Sequence, residues 1–226
     1  MERRDRFLLA TLLGLFCLLL VLLAWSFVYD AQTKFLSGTE SNLVPTETLL
    51  PSLPPLRPTD PTTGSNDPHA KTIVVFSNFT CAYCRLSEGE MIRAMTELKQ
   101  PVRVIWRDLP ISSTSREAML GTLAGRCAHE QGKFWDWHDA VFASKQRLDE
   151  NAVRVLVSQA KLDEVKFNTC FSQSLLLNEI QKDVSLAHEH LIFESPTFFV
   201  GDQPAVTGYV SSNQFKRLLT STNGRK

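Results

Sequence analysis

The sequence predicts an α/β domain split by a helical insertion and preceded by one transmembrane helix. A strand–helix–strand pattern over residues 71–107 implies a parallel pair of strands joined by a right-handed crossover. A stretch with helical periodicity, over about residues 113–190, separates this pattern from a second group of short strands. An uncharged apolar run near the N-terminus adds the transmembrane helix.

The composition is that of an ordinary globular protein. Of the 226 residues, 43% are hydrophobic and 21% are charged, and 24 basic side chains balance 24 acidic ones. The net charge of zero argues against nucleic acid as a partner, because nucleic-acid-binding proteins concentrate positive charge on one face. The five cysteines are too few for a small scaffold held together by disulfides.

Residues 1–29 are predicted to form a signal anchor that crosses the membrane once. The 22 residues Phe7–Val28 carry no charge and are long enough to span the roughly 30 Å hydrocarbon layer as a helix. Three arginines precede this run, so we expect the N-terminus in the cytoplasm and the rest of the chain outside. The run is longer than the apolar core of a cleavable signal, although Ala24 and Ser26 form a small-x-small pattern that a signal peptidase accepts.

Residues 30–69 are predicted to be a flexible, proline-rich linker. Seven of the eleven prolines lie in this range, among Thr, Ser and Asn residues. Proline cannot continue a helix or donate a hydrogen bond to a strand ladder, so no packed core is expected here. The folded domain is therefore expected to cover residues 70–226.

Hydrophobic periodicity predicts the elements of this domain. The first helix is placed by apolar residues at helical spacing, namely Leu86, Met91, Ile92, Met95 and Leu98. The predicted strands are Lys71–Phe76, Val102–Arg107, Thr197–Val200 and Ala205–Val206. The predicted helices are 81–98, Ser115–Glu130, Lys133–Ala143, Glu150–Ala160, Asp163–Phe171, Leu175–His190 and Ser212–Leu219.

The motif Cys81-Ala82-Tyr83-Cys84 is the feature that carries chemistry. Its cysteines lie at positions i and i+3 of a predicted helix start, where Cα atoms are roughly 5 Å apart and within reach of a disulfide. Free N–H groups and the helix dipole at this position favour a thiolate over a thiol. We therefore predict that Cys81 is the nucleophile and that Cys84, one turn into the helix, is the resolving cysteine.

Two other interpretations of this pair compete with a redox role. Half of a zinc site is disfavoured, because there is no second C-x2-C and the close histidine pair, His188 and His190, lies far along the chain. No metal site is predicted. An inert structural disulfide at a helix start is the other alternative. The position directly after a strand and a short turn favours a redox-active pair.

A second motif, Ser195-Pro196-Thr197, follows the insertion. Together, the segments FSNFTCAYC and SPTFFVGDQPAVTG resemble the DsbA-like branch of the thioredoxin-fold thiol:disulfide oxidoreductases. The resemblance extends over about residues 73–219, and with the predicted anchor the chain resembles a membrane-anchored member. The resemblance implies that Pro196 is cis and belongs to the catalytic site, and that Ser195, Ala82 and Tyr83 contact the substrate. The residues alone favour an ordinary trans proline that opens a strand, since most X-Pro bonds are trans.

One position departs from the family pattern. Many members carry a buried acidic residue six positions before the first cysteine, where this chain has Val75. Either another group, such as Asp108 or water, handles the proton of Cys84, or that step is slower. The Ala-Tyr dipeptide also differs from the Pro-His of the strongest oxidants, so the direction of electron flow stays open.

Cys127 and Cys170 lie on different predicted helices of the insertion. Outside the cytoplasm two such thiols are expected to pair, and the resemblance also implies a second disulfide here; two free buried cysteines are the alternative. The histidines of the insertion, His138, His188 and His190, have no partner that the sequence identifies, and we expect them at the surface.

The resemblance implies a single-pass protein of the bacterial inner membrane with its catalytic domain in the periplasm or outside. It implies that the protein forms disulfides in reduced or unfolded exported proteins and is reoxidised by a membrane quinone-linked thiol oxidase. No cofactor is expected. A reductase or isomerase using the same cysteines, and a non-catalytic domain that binds an extended peptide, stay open as alternatives.

Overall fold

The computed structural model describes residues 19, 22–25, 53–110, 116–144, 146–172 and 176–221. The chain divides into two compact units, Met1–Leu49 and Leu50–Lys226. In the first unit the described residues, 19 and 22–25, are helical. The other residues of the predicted anchor, which covers 1–29, lie outside the described part. The described ranges contain no helix that is long and apolar enough to cross a membrane.

The second unit is built on a five-stranded sheet with the order β1-β3-β2-β4-β5. The strands are β1 Thr62–Gly64, β2 Lys71–Ser77, β3 Val102–Asp108, β4 Thr197–Val200 and β5 Val206–Thr207. As predicted, β2 and β3 pair in parallel, whereas the other neighbouring strands are antiparallel. Strand β2 is central, and the side chains of residues 73–76 are at most 1% exposed, which explains their continuous apolar character.

The helices surround this sheet in two groups. Within the described residues they are α1 Ala82–Leu98, α2 Arg116–His129, α3 Phe134–Ala143, α4 Glu150–Gln159, α5 Glu164–Ser172, α6 Leu177–Glu189 and α7 Ser212–Thr220. Helices α2 to α6 form the predicted insertion between β3 and β4, and α1 packs against α7. The ends of all predicted helices and strands lie within two residues of those observed.

The sequence predicted that the folded unit starts at residue 70, but it begins earlier. Strand β1 lies inside the predicted linker, residues 30–69, and pairs with β3. Just before it, the Asp60 carboxylate is buried and accepts hydrogen bonds from Arg107 at 2.7 Å and from Arg57 at 2.9 Å. Arg107 is fully buried, and a buried charge requires a partner. This ion pairing holds the proline-rich segment on the sheet, an effect that composition does not reveal.

The buried face of α1 differs from the predicted one. Leu86 and Ile92 are 53% and 55% exposed, and the buried residues are Cys84, Ser87, Glu88, Met91 and Ala94. Small and polar side chains can occupy this face because they find partners there. The Ser87 hydroxyl, for example, accepts a hydrogen bond from the Val210 N–H at 3.0 Å.

The insertion packs closely against the residue that leads into α1. Ideal Cβ atoms at Gly121 and Gly125 of α2 would come within 3.1 and 2.9 Å of the Phe79 side chain, so these glycines allow the approach. The Phe79 ring stacks on Trp106 of β3 with a centroid distance of 4.9 Å. The insertion therefore holds the turn before Cys81 in place.

Candidate redox site

Cys81 and Cys84 form a disulfide at the start of α1. Their Cα atoms are 5.2 Å apart. Cys81 is the N-cap residue with extended backbone angles, and its Sγ accepts a hydrogen bond from the Cys84 N–H at 3.0 Å. The first turn of α1 carries no acidic side chain. Once the disulfide is reduced, a negative charge on the Cys81 sulfur is therefore stabilised by the helix start.

The two sulfur-bearing residues differ in exposure. Cys81 is partly exposed, whereas Cys84 is fully buried. Ala82 and Tyr83, which lie between them, are exposed, and the Tyr83 side chain is 61% exposed. An attacking thiolate from outside can thus reach Cys81 but not Cys84.

The second motif lies directly beside the disulfide. The Ser195–Pro196 peptide bond is cis, as the resemblance implied. The carbonyl oxygen of Ser195 is 3.5 Å from the Cys81 Sγ, and the carbonyl of Pro196 accepts a hydrogen bond from the Gly208 N–H at 2.8 Å. The tertiary structure therefore brings together Cys81, Cys84, Ser195 and Pro196.

Asn78 connects these two motifs and was not identified from the sequence. Its Nδ2 donates a hydrogen bond to the Ser195 hydroxyl at 2.9 Å, and its Oδ1 accepts one from the Thr80 N–H at 3.0 Å. Asn78 is 6% exposed. An Asn in the turn after a strand is a recognisable signal for such a local hydrogen bond, but its contact with Ser195 depends on the fold.

Asp108 does not provide the proton acceptor suggested by the sequence. One of its carboxylate oxygens accepts a hydrogen bond from Trp106 Nε1 at 2.8 Å, and the other is bound by Arg126. Arginine keeps its proton in proteins, so this pair cannot pass a proton on. Val75, at the position where many family members have an acid, is fully buried.

Glu88 is a buried carboxylate on the same face of α1 as Cys84. It lies four residues after Cys84, is 2% exposed and accepts a hydrogen bond from the Ser77 hydroxyl at 3.2 Å. Glu88 was not identified from the sequence, although its i, i+4 spacing from Cys84 was a usable signal.

His138 is buried, which corrects the expectation that it lies at the surface. It is 4% exposed, with Nε2 at 2.5 Å from a Glu88 oxygen and Nδ1 at 2.9 Å from an Asp139 oxygen. Burial by itself opposes the charged form, but the carboxylates of Glu88 and Asp139 outweigh it and raise the pKa of His138 to about 9. His138 is therefore an imidazolium at neutral pH.

The remaining predicted residues lie away from this site. Cys127 on α2 and Cys170 on α5 form a disulfide with a Cα separation of 5.7 Å, as expected. His188 is exposed at the end of α6, and His190 is partly exposed. Across the ranges that the structure describes, no group of three or more His, Cys, Asp or Glu side chains is arranged to hold a metal ion.

Comparison with known proteins places the second unit in a family. Residues 57–221 match a family model described as Thioredoxin. The chain is 29% identical over 129 residues to a protein named Na(+)/H(+) antiporter NhaA 3 from Salinispora tropica, a match that covers 57% of this chain and 20% of that protein. The chain thus spans about a fifth of the length of this curated relative.

Solved structures show the same fold. A thioredoxin-like oxidoreductase from Silicibacter pomeroyi has a TM-score of 0.63 and 24% identity, covering 72% of this chain and 91% of that one. The thiol-disulfide exchange protein alpha-DsbA2 from Wolbachia pipientis has a TM-score of 0.61 and 17% identity, covering 71% of this chain and 86% of that one. These likenesses establish the fold.

Proposed function

The chain belongs to the thioredoxin family, and we propose that it is an extracytoplasmic thiol:disulfide oxidoreductase that forms disulfides in exported proteins. The observation that carries this proposal is the asymmetric Cys81–Cys84 disulfide. One sulfur is accessible at the start of a helix and in contact with the cis-proline loop, whereas the other is fully buried. Reactive disulfides require this combination of access and thiolate stabilisation.

The exchange proceeds through a mixed disulfide. A substrate thiolate attacks the Cys81 sulfur, the Cys81–Cys84 bond breaks, and Cys84 leaves as a thiolate that takes up a proton. A second thiolate of the substrate then attacks the substrate sulfur bound to Cys81, which forms the substrate disulfide and releases Cys81. Two electrons pass from the substrate to the cysteine pair, so the pair ends reduced.

Exposed apolar side chains on and near the elements that carry the two motifs support an unfolded polypeptide as the substrate. Three places carry exposed apolar side chains. They are Tyr83 and Leu86 on α1, Phe193 shortly before Pro196, and Tyr209 shortly after β5. Unfolded chains expose the apolar side chains that such a surface binds. We expect the backbone of Ser195, beside Cys81, to pair with an extended segment of the substrate as an added strand.

The proposal includes a location and a partner. We place the protein in the bacterial inner membrane as a single-pass protein, with residues 1–29 as the anchor and the thioredoxin-like unit in the periplasm or outside. A membrane quinone-linked thiol oxidase reoxidises the pair. The apolar run in the sequence and the second disulfide support this location, because structural disulfides persist in oxidising compartments. The similarity to antiporters covers a fifth of their length and supports the shared domain rather than ion transport.

The direction of electron flow is tested by a redox titration of the full-length protein in detergent. The protein is equilibrated in glutathione buffers of stepped potential, the free thiols are alkylated, and the fraction of reduced Cys81–Cys84 is measured by mass spectrometry. A potential near about −120 mV supports disulfide formation, and one near about −270 mV supports a reductase instead. A pair that resists mild dithiol reductants supports the non-catalytic binding domain and contradicts the enzyme.

A further inference from the structure

We propose that Glu88, His138 and Asp139 form a proton pathway that connects the buried Cys84 sulfur with solvent. This inference rests on the proposed thiol–disulfide exchange and names the groups that move the proton of Cys84 within it. The sequence left this role unassigned at Val75, and Asp108 does not fill it because the Arg126 guanidinium that binds its carboxylate cannot pass a proton on.

The first step of the pathway joins Cys84 to Glu88. The two residues lie one turn apart on the buried face of α1, and residues at this spacing have Cβ atoms roughly 5–6 Å apart. Side chains on a helix tilt toward its N-terminus, so the carboxylate of Glu88 extends toward the turn that holds Cys84. Its hydrogen bond to Ser77, which lies four residues before Cys81, agrees with this direction.

The second step joins Glu88 to Asp139 through one imidazole ring. Nε2 of His138 faces Glu88 at 2.5 Å, and Nδ1 faces Asp139 at 2.9 Å. A ring whose two nitrogens both face carboxylates must carry a proton on each to satisfy them. His138 can therefore release its Nδ1 proton to Asp139 when Glu88 takes up a proton, because a neutral Glu88 no longer stabilises the charged ring. Arg126 cannot do the same for Asp108, because a guanidinium does not lose its proton.

The surroundings direct the proton along this route. Aromatic rings enclose His138, with centroid distances of 4.7 Å to Phe142, 4.8 Å to Trp135, 5.3 Å to Trp106, 6.1 Å to Phe79 and 6.3 Å to Phe134. The charged groups that face the ring are Glu88 from α1 and Asp139 from its own helix. The side chain of Asp139 is 75% exposed, so this is where the pathway reaches water.

The pathway acts when the pair is reoxidised and when it is reduced. In a mixed disulfide between Cys81 and a small thiol, Glu88 accepts the proton of the Cys84 thiol, and the new thiolate attacks the Cys81 sulfur. The small thiol leaves as a thiolate and is protonated by water. His138 releases its own Nδ1 proton to Asp139 and solvent, so one proton leaves the site for the one that Glu88 has taken up. When a substrate reduces the disulfide, the same groups return a proton to the departing Cys84 thiolate.

The test isolates the step in which Cys84 loses its proton. The reduced full-length protein is mixed with oxidised glutathione, samples are quenched in acid, and mass spectrometry follows the mixed disulfide on Cys81 and its decay to the internal disulfide. In Glu88→Gln we expect the decay to be at least roughly 100-fold slower at pH 7, because a positioned base is lost. The rate should then rise about tenfold per pH unit, since hydroxide must remove the proton.

Matched variants separate the pathway from a structural role. Glu88→Asp retains a carboxylate and should recover a part of the rate lost in Glu88→Gln. Asp139→Asn should slow the decay several-fold, whereas Asp136→Asn, an exposed acid on the same helix, should leave it unchanged. The alkylation rate of Cys81 should stay within about twofold of wild type in all variants, because the helix start controls that sulfur.

The outcomes are distinct. If Glu88→Gln resolves the mixed disulfide as fast as wild type and with the same pH profile, the pathway is refuted, even if the variant unfolds at a lower temperature. If Asp136→Asn slows the decay as much as Asp139→Asn, the assignment of Asp139 is refuted. A wild-type protein that forms no mixed disulfide at all contradicts the proposed function instead.

Discussion

The two disulfides of this protein have similar Cα separations but lie in opposite surroundings. Their Cα separations are 5.2 Å for Cys81–Cys84 and 5.7 Å for Cys127–Cys170. The first closes three residues at the start of a helix and reaches the surface, whereas the second links two helices across 43 residues, and Cys127 is fully buried in the hydrophobic core. The place of a disulfide in the fold, rather than the bond itself, therefore decides whether an outside thiolate can reach it.

The neighbouring groups differ in the same sense. The helix start and the cis-proline loop lie beside Cys81, and the buried face of α1 that holds Cys84 also holds Glu88, which pairs with His138. Cys127 lies among apolar residues of the core, and Cys170 packs against them. One disulfide is thus surrounded by groups that can move charge, and the other by groups that can only pack.

The largest effect should come from Cys81→Ser. We expect disulfide formation in a reduced, unfolded substrate to fall to the uncatalysed rate, because Cys84 is fully buried and cannot replace the accessible sulfur. The measurement is the recovery of activity of a reduced reporter enzyme. Replacement of both Cys127 and Cys170 by Ala is the control and should retain catalysis at a temperature where it is folded. An unaffected rate in Cys81→Ser would contradict the mechanism.

The same double Ala variant should show the second largest effect, on stability. Loss of a cross-link that spans 43 residues should lower the free energy of unfolding by about 4 kcal/mol on the chain-entropy model. Urea unfolding followed by circular dichroism measures it. The control is Cys81→Ala with Cys84→Ala, which opens a loop of three residues and should cost less. A larger loss in that control would reverse the assignment of the two roles.

The third effect is a pH dependence of the free energy of unfolding that arises from His138. The pKa of His138 is raised from 6.5 to about 9 in the folded protein, so the imidazolium stabilises the fold fully below about pH 6.5 and loses this contribution as the pH rises through 9. The difference corresponds to about 3 kcal/mol. Urea unfolding at pH 6, 7.5 and 9 should show the decline in wild type, and His138→Gln should show a smaller one. A flat profile in wild type would contradict an imidazolium at this position.

The smallest effect should come from Tyr83→Ser. This exposed side chain is expected to contact unfolded substrates, so kcat/KM for an unfolded protein should fall a few-fold, while the rate with dithiothreitol stays the same. Val155→Ser is the control, because it removes a 50% exposed apolar side chain from α4 of the insertion. Equal losses in both variants would argue against a specific contact at Tyr83.

Most of the fold was predictable because it depends on local patterns. The run of β-branched residues in β2 and the cysteine spacing at the start of α1 are short-range signals. Strand β2 and helix α1 both lie where they were predicted. Strand β1 was not predicted, since three residues without an apolar pattern gain their partner only from β3. The rotation of α1 was also missed, because apolar Leu86 and Ile92 face solvent while Glu88 is buried.

The candidate site likewise has features that the sequence predicts and contacts that depend on the fold. The cysteine pair that begins a helix after a strand, and the serine–proline motif after the insertion, were predictable from the sequence, because covalent spacing and helical periodicity fix such features. The contact of His138 with Glu88, 50 residues away, and the link that Asn78 makes between the two motifs arise from the packing of the folded chain. Contacts between distant residues depend on how helices are rotated and docked, and periodicity does not specify either.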